Sequence, residues 1–212
     1  MCIRDSIKTY LQEETVFPER EDAEITYELN REYRELFERV LEYAREKVED
    51  ASAISKVRQR VCWWAALAML RTLSSSPAAA IASFRSKISF PNAESTEQAD
   101  AANSSQVFDE EPEDGAEDTN PGADSSEADN DPGRKKMLEL ARMAEKLLGR
   151  QDPKLQKVIT ILESLLGDTF NPIVFCRYIA TASYLAEQLK KHFGDDVEVL
   201  CITGELLSLI HI

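Results

Sequence analysis

Between Glu94 and Pro132 the chain carries 14 acidic residues and no Lys or Arg, with Val107 and Phe108 as the only large apolar side chains. No other feature limits the fold as strongly. A stretch this poor in apolar surface cannot offset the conformational entropy lost on ordering. Residues 94–132 are therefore expected to form a disordered acidic insertion, read as a solvated linker rather than as an acidic arm that mimics nucleic acid or docks a basic partner. Folding must come from the segments on either side. The whole chain holds 39 acidic and 25 basic residues, a formal net charge of -14, but outside the tract the two signs balance. The negative total thus does not exclude a nucleic-acid partner for the ordered parts.

The two ends share an unusual relation. Leu207 to Ile212 can be written CTG TCT CTT ATA CAC ATC, and the reverse complement of that string, extended by one base at each end, encodes Met1 to Asp5 and then Ser or Arg. The chain begins MCIRDS. Residues 1–6 and 207–212 are accordingly expected to translate one short DNA element in its two orientations, an element that resembles the transposon end ligated onto sequencing libraries. Such segments are set aside from fold reasoning. That leaves 7–93 and 133–206 as the segments expected to fold.

Apart from Cys2, the cysteines are Cys62, Cys176 and Cys201, each inside an apolar run. An odd number without metal-ligand spacing fits reduced, buried thiols and a cytoplasmic setting. Neither His192 nor His211 has a partner at ligand spacing, so no metal site is expected. The longest apolar run, Val61 to Leu70, is too short to cross a bilayer, and no signal peptide is expected. No membrane partner is expected.

Periodicity places the ordered elements. Phe17 and Pro18 open a segment whose alternation at Ile25, Tyr27 and Leu29 predicts a short strand with one buried face. Asn30 then caps a helix with Tyr33, Leu36, Phe37, Val40, Leu41, Ala44 and Val48 on one face. A second helix, from about Ile54 to Leu73, is apolar on most sides around Trp63 and Trp64 and ends at the Ser74–Pro77 cluster. Those tryptophans read as core rather than as a base-stacking platform. A short helix follows over Ala78 to Ser86. Beyond the acidic tract, Arg134 to Leu148 is helical, with Gly149 as its stop. Asp152 and Pro153 start another helix, which Gly167 is expected to end.

The last unit is expected to be βαβ. Pro172 to Cys176 is a continuous apolar run of the kind that a parallel strand buried on both faces needs. A helix from Ala180 or Thr181 carries Tyr184, Leu185, Leu189 and Phe193, and after Gly194 the run Val197 to Ile202 reads as a second strand closed by Thr203 and Gly204. Ligands of open α/β sheets gather at the carboxyl ends of strands. Arg177, Tyr178, Thr203 and Gly204 would then share one functional edge.

Several segments resemble, in order, those of Swi/Snf-like DNA translocases of helicase superfamily two. FPEREDAEITYELNREYRELFERV is similar to the segment leaving the first ATPase lobe, and ALAMLRTLSSSP to a helix ending in Leu-Arg before a proline. DPKLQKVITILESLLGDTFNPIVFCRYIATASYLAEQL resembles the start of the second lobe with helicase motif IV, and VLCITGEL the next strand. The style looks closest to bacterial helicase-related proteins of phage-defence type, including the DISARM system's Swi/Snf-like helicase.

The resemblance implies an α/β fold: helices between two lobes over 7–93, then over 133–206 the first βαβ of a RecA-like C-terminal lobe. It implies ATP and Mg²⁺ as cofactors of such an enzyme, duplex DNA as partner, and other defence-system proteins as further partners. It also implies backbone contacts through Thr203 and Gly204, with Arg177 as a phosphate partner. The catalytic parts are missing from these residues: no Gly is followed by Lys, so there is no phosphate-binding loop. This chain alone is expected neither to hold ATP tightly nor to hydrolyse it, and no catalytic residue is assigned. Two alternatives stand beside this one: a helical protein-interaction module with an acidic arm, and another nucleotide-binding α/β enzyme.

Overall fold

Asn30 starts the first helix as its sequence predicts. In the computed structural model, which describes residues 22–87, 95–100, 121–124 and 130–203, the Tyr33 amide donates to Asn30 Oδ1 at 2.8 Å. Helix α1 then runs Arg31–Ser52 and turns Tyr33, Leu36, Val40 and Ala44 inward; Tyr43, outside the predicted stripe, is buried with them. Helix α2, Lys56–Ser75, packs along α1 and is apolar nearly all round, which a helix held between neighbours requires. Ser76 ends α2, and its hydroxyl accepts the Ala79 amide to start α3, Pro77–Arg85, with proline in the first turn, where its missing N–H costs nothing. Helix α4, Pro132–Glu145, closes the group.

These four helices share one core, centred on Leu36, Trp64, Met69, Leu73, Phe84 and Met137. Two phenols are bonded inside it: Tyr33 donates to the Leu73 carbonyl at 2.6 Å and Tyr43 to the Gly133 carbonyl at 3.3 Å. The packing boundary thus falls between Leu147 and Leu155, because α4 belongs with α1–α3 rather than with the segment after it. The second core is smaller. Helices α5, Pro153–Gly167, and α6, Ile179–Phe193, bury Leu155, Ile159, Leu162, Tyr184 and Leu189, and Ala78 of α3 packs against the same cluster.

The α/β expectation is overturned: among the described residues there is no strand, only an isolated parallel bridge between Lys87 and Asp124. The expected strand around Ile25, Tyr27 and Leu29 is coil with Ile25 and Tyr27 exposed, since no neighbouring chain offers it a ladder. The expected RecA-like βαβ reduces to its helix, α6. Segments 171–176 and 197–202 do lie along one groove beside α5 and α6, but among the described residues no backbone hydrogen bond joins them. Their side chains still alternate. Val197, Val199 and Cys201 are half-buried, whereas Ile173, Phe175, Leu200 and Ile202 are 77, 91, 76 and 74% exposed. An apolar run of this length reports burial, and an unpaired edge cannot supply it.

Among the described residues, the acidic tract meets the helical body at Asp100 and at 121–124. Arg60 on α2 donates to Asp100 at 2.5 and 2.9 Å, and the Trp64 indole N–H donates to the same carboxylate at 2.8 Å. Hydrogen bonding from Arg60 and Trp64 holds the Asp100 carboxyl below its ordinary range. At the other end Asp124 is buried and pairs with Arg134 at 2.6 Å, while Ala123 donates its amide to Ser83 and Ser86. Residues 101–120 and 125–129 of the expected disordered insertion, and the terminal segments 1–6 and 207–212, lie outside the described residues.

Helix α5 ends differently from its sequence reading. Gly167 is still helical, and the left-handed position falls two residues later, on Thr169 with φ 65°. Thr169 donates its amide to Leu166 O and Phe170 to Leu165 O, the paired bonds of a Schellman cap. A β-branched residue is poorly suited to that conformation. Thr169→Gly should stabilise the protein by about 1 kcal/mol, measured as a higher urea midpoint at unchanged slope; a lower midpoint would show that the Thr side chain contributes something the strain does not outweigh.

Candidate functional site

The junction between the two cores forms an open pocket of about 610 Å³. One wall is the end of α2 with Arg71 and Ser74–Ser76, a second is the start of α5 with Asp152, Lys154 and Leu155, and the third is Val174 to Tyr178 leading into α6. Hydrogen bonds hold the walls together. Thr181 Oγ1 lies 2.9 Å from Ser75 Oγ and 2.8 Å from Ser76 Oγ, and Lys154 Nζ donates to the Ser74 carbonyl at 3.1 Å. Outside the pocket, Asn30 Nδ2 donates to the Gln151 carbonyl at 2.7 Å, tying the start of α1 to the same joint.

Asp152 is the central buried charge. It caps α5 by accepting the amides of Lys154 and Leu155 at 3.0 and 3.1 Å, and its other oxygen accepts the Tyr184 hydroxyl at 3.2 Å. Burial pushes its carboxyl above the ordinary value, while those bonds favour the charged form and pull the other way. Burial likewise raises the Tyr184 phenol, next to the Asp152 charge; that phenol oxygen accepts the Gly149 amide at 2.9 Å.

Helix α6 enters the pocket with an unsatisfied end. Its cap residue, Tyr178, makes no side-chain cap bond, so the first-turn amides of Ile179, Ala180 and Thr181 have no intrahelical acceptor. Arg177 precedes it, with its guanidinium carbon 5.7 Å from the centre of the Tyr178 ring. Tyr178 is 5% exposed, and its hydroxyl has no hydrogen-bond partner. Three cationic side chains, Arg71, Lys154 and Arg177, face one carboxylate around this space. The uncapped start of α6 favours an anion, because its first-turn amides carry partial positive charge.

Of the three residues singled out from sequence, the two that are described do not line one site. Arg177 lines the pocket; Thr203 is half-buried and lines neither the pocket nor the groove beside it, whose wall ends at Ile202; Gly204 lies outside the described residues. Sequence reasoning missed the opposite wall. Asp152 was legible as a helix start but not as a buried carboxyl, and the hydroxyls of Ser75, Ser76 and Thr181 meet across more than a hundred residues. Trp63 and Trp64 pack edge to face in the first core, with Arg60 over the Trp63 ring at 4.5 Å. Among the described residues no group of His, Cys, Asp or Glu has metal-site geometry, and no helix is long and apolar enough to cross a membrane. No protein-family model, curated protein or solved structure matches the chain.

Proposed function

We propose that this chain is the lobe-joining, phosphate-contacting part of a Swi/Snf-like, ATP-dependent DNA translocase of the phage-defence kind, working in the cytoplasm. The carrying observation is Arg177 placed immediately before the uncapped start of α6. A cation beside uncapped helix amides can contact phosphate oxygens without reading sequence, and Arg177 is the residue that the resemblance gives as a phosphate partner. The sheet expected around it is not part of the proposal. The ATP chemistry would come from a phosphate loop, an acidic box and an arginine finger, none of which these residues contain.

The test is duplex DNA binding by the full chain across a salt series. Binding should weaken with salt, and Arg177→Ala should reduce the slope of log K against log salt by about 0.9, the loss of one phosphate contact. Equal slopes for the two proteins would remove Arg177 from the interface, and binding that is indifferent to salt would remove the DNA reading.

A second reading, a helical protein-interaction module with an acidic arm, has its own support. The outward row of Ile173, Phe175, Leu200 and Ile202 is a larger apolar exposure than isolated surface residues give, and the acidic tract is pinned to the body at Asp100 and Asp124. The other α/β enzyme has no such support, since a strand and a Gly-rich loop are both lacking among the described residues.

A further inference from the structure

The two tryptophans and the acidic tract, which the DNA reading leaves unused, meet at one place. Arg60 and Trp64 stand one turn apart on α2 and aim three N–H groups at a single carboxylate. Arg60 Nε donates to Asp100 Oδ1 at 2.5 Å and Arg60 Nη2 to Oδ2 at 2.9 Å, while the Trp64 indole donates to Oδ1 at 2.8 Å. A planar fork matched to both oxygens, with a further donor on one of them, recognises a carboxylate by shape as well as by charge.

Both donors are set by α2 itself. The Arg60 guanidinium lies over the Trp63 ring, 4.5 Å from its centre, and this stacking holds a flexible side chain in position for its acceptor. Trp64 is 2% exposed. A donor on so buried a ring depends on an acceptor at this one point. The acceptor, by contrast, comes from a tract with 14 acidic residues, no Lys or Arg and hardly any large apolar side chain. Its turn at 96–100, which Ser95 opens by accepting the Gln98 amide, is too short to be stable by itself. Docking orders it. Ala99, next to the bound carboxylate, is 0% exposed, so only a small side chain is accommodated there.

We propose that Arg60 and Trp64 form a binding site for acidic peptides, selective for an aspartate preceded by a small residue, and that the chain masks this site with its own Ala99 and Asp100. The tethered segment competes at an effective concentration in the millimolar range, so a partner protein displaces it by presenting the same carboxylate with additional contacts around it. The site is separate from the DNA contact. Arg60 lies in the opening turns of α2, whereas Arg71 and Ser74, near its other end, line the joint between the cores.

The probe is a synthetic peptide of residues 94–104, titrated into the full chain and into Asp100→Ala, in which the site is open. Both tryptophans of the chain lie at this site, so intrinsic fluorescence reports its occupancy. The peptide should saturate Asp100→Ala and bind the parent about tenfold more weakly, since in the parent an internal copy competes. Peptides carrying Asp100→Asn or Ala99→Leu should each bind Asp100→Ala about tenfold more weakly, the first through loss of the charge-assisted pair and the second through overpacking. Adding Arg60→Lys to Asp100→Ala keeps the charge and removes the fork, and should weaken the peptide by a similar factor. The proposal is overturned if Asp100→Ala gives no saturable response, if it binds the peptide no better than the parent does, if the Asn peptide binds as well as the Asp peptide, or if Arg60→Lys retains full affinity. These outcomes are independent of whether duplex DNA binding responds to Arg177→Ala.

Discussion

Trp64→Ala should lower the unfolding free energy by about 3–5 kcal/mol, the largest effect of any single change considered. The indole, carried by α2, is among the largest fully buried side chains of the first core. Truncation removes its contacts and leaves a void that backbone packed this tightly cannot close. It also removes the indole N–H that donates to Asp100, so the pin between α2 and the acidic tract loses one of its bonds. Trp64→Phe separates the two contributions: it keeps most of the packing, and its cost should be nearer 1 kcal/mol. Urea unfolding followed by circular dichroism measures both. A loss for Trp64→Ala no larger than that for Trp63→Ala, whose ring is only half-buried, would place Trp64 outside the core.

Asp152→Ala comes second, at about 2–3 kcal/mol, because it strands two helix amides and a buried phenol at once. Asp152→Asn keeps the acceptor for the amides and removes the charge, so it should cost much less. The parent and Asp152→Asn should differ in pH dependence as well. Burial raises the Asp152 carboxyl in the folded protein, whereas in the unfolded chain it titrates near about 3.9. Between those two values the native state holds a proton that the unfolded state has released. The contribution of this group to stability therefore falls as pH rises through that window, and is level above it. In Asp152→Asn that descending part of the profile should disappear; its persistence there would assign the slope to other carboxyls.

Helix placement was legible in the sequence because the signals were local. Asn30 before an apolar stripe and Asp152 before Pro153 each set a helix start within a residue or two. Strands were not, because a strand is a relation between segments. Pro172 to Cys176 and Val197 to Ile202 have the composition and even the alternation of strands, yet hydrogen-bonded pairing is a property of neighbours, and a run of side chains does not specify it. Gly167 misled for a related reason: the turn it announces is completed by Thr169, so the residue that favours the left-handed conformation and the residue that adopts it differ. Of the candidate site, Arg177 and Tyr178 were visible as residues preceding a helix. The walls opposite them, built by Ser74 to Ser76 and Lys154, follow from how α2, α5 and α6 meet, and no local pattern encodes that meeting.

Ser76 has a mechanical consequence. One residue closes α2 and opens α3, and its hydroxyl also sits against Thr181 of α6. A hinge there would have to break both caps together, so the elbow behaves as a stiff bracket. Displacement of α6 is then delivered to the first core as leverage through two side-chain oxygens, instead of being absorbed by a slack connector.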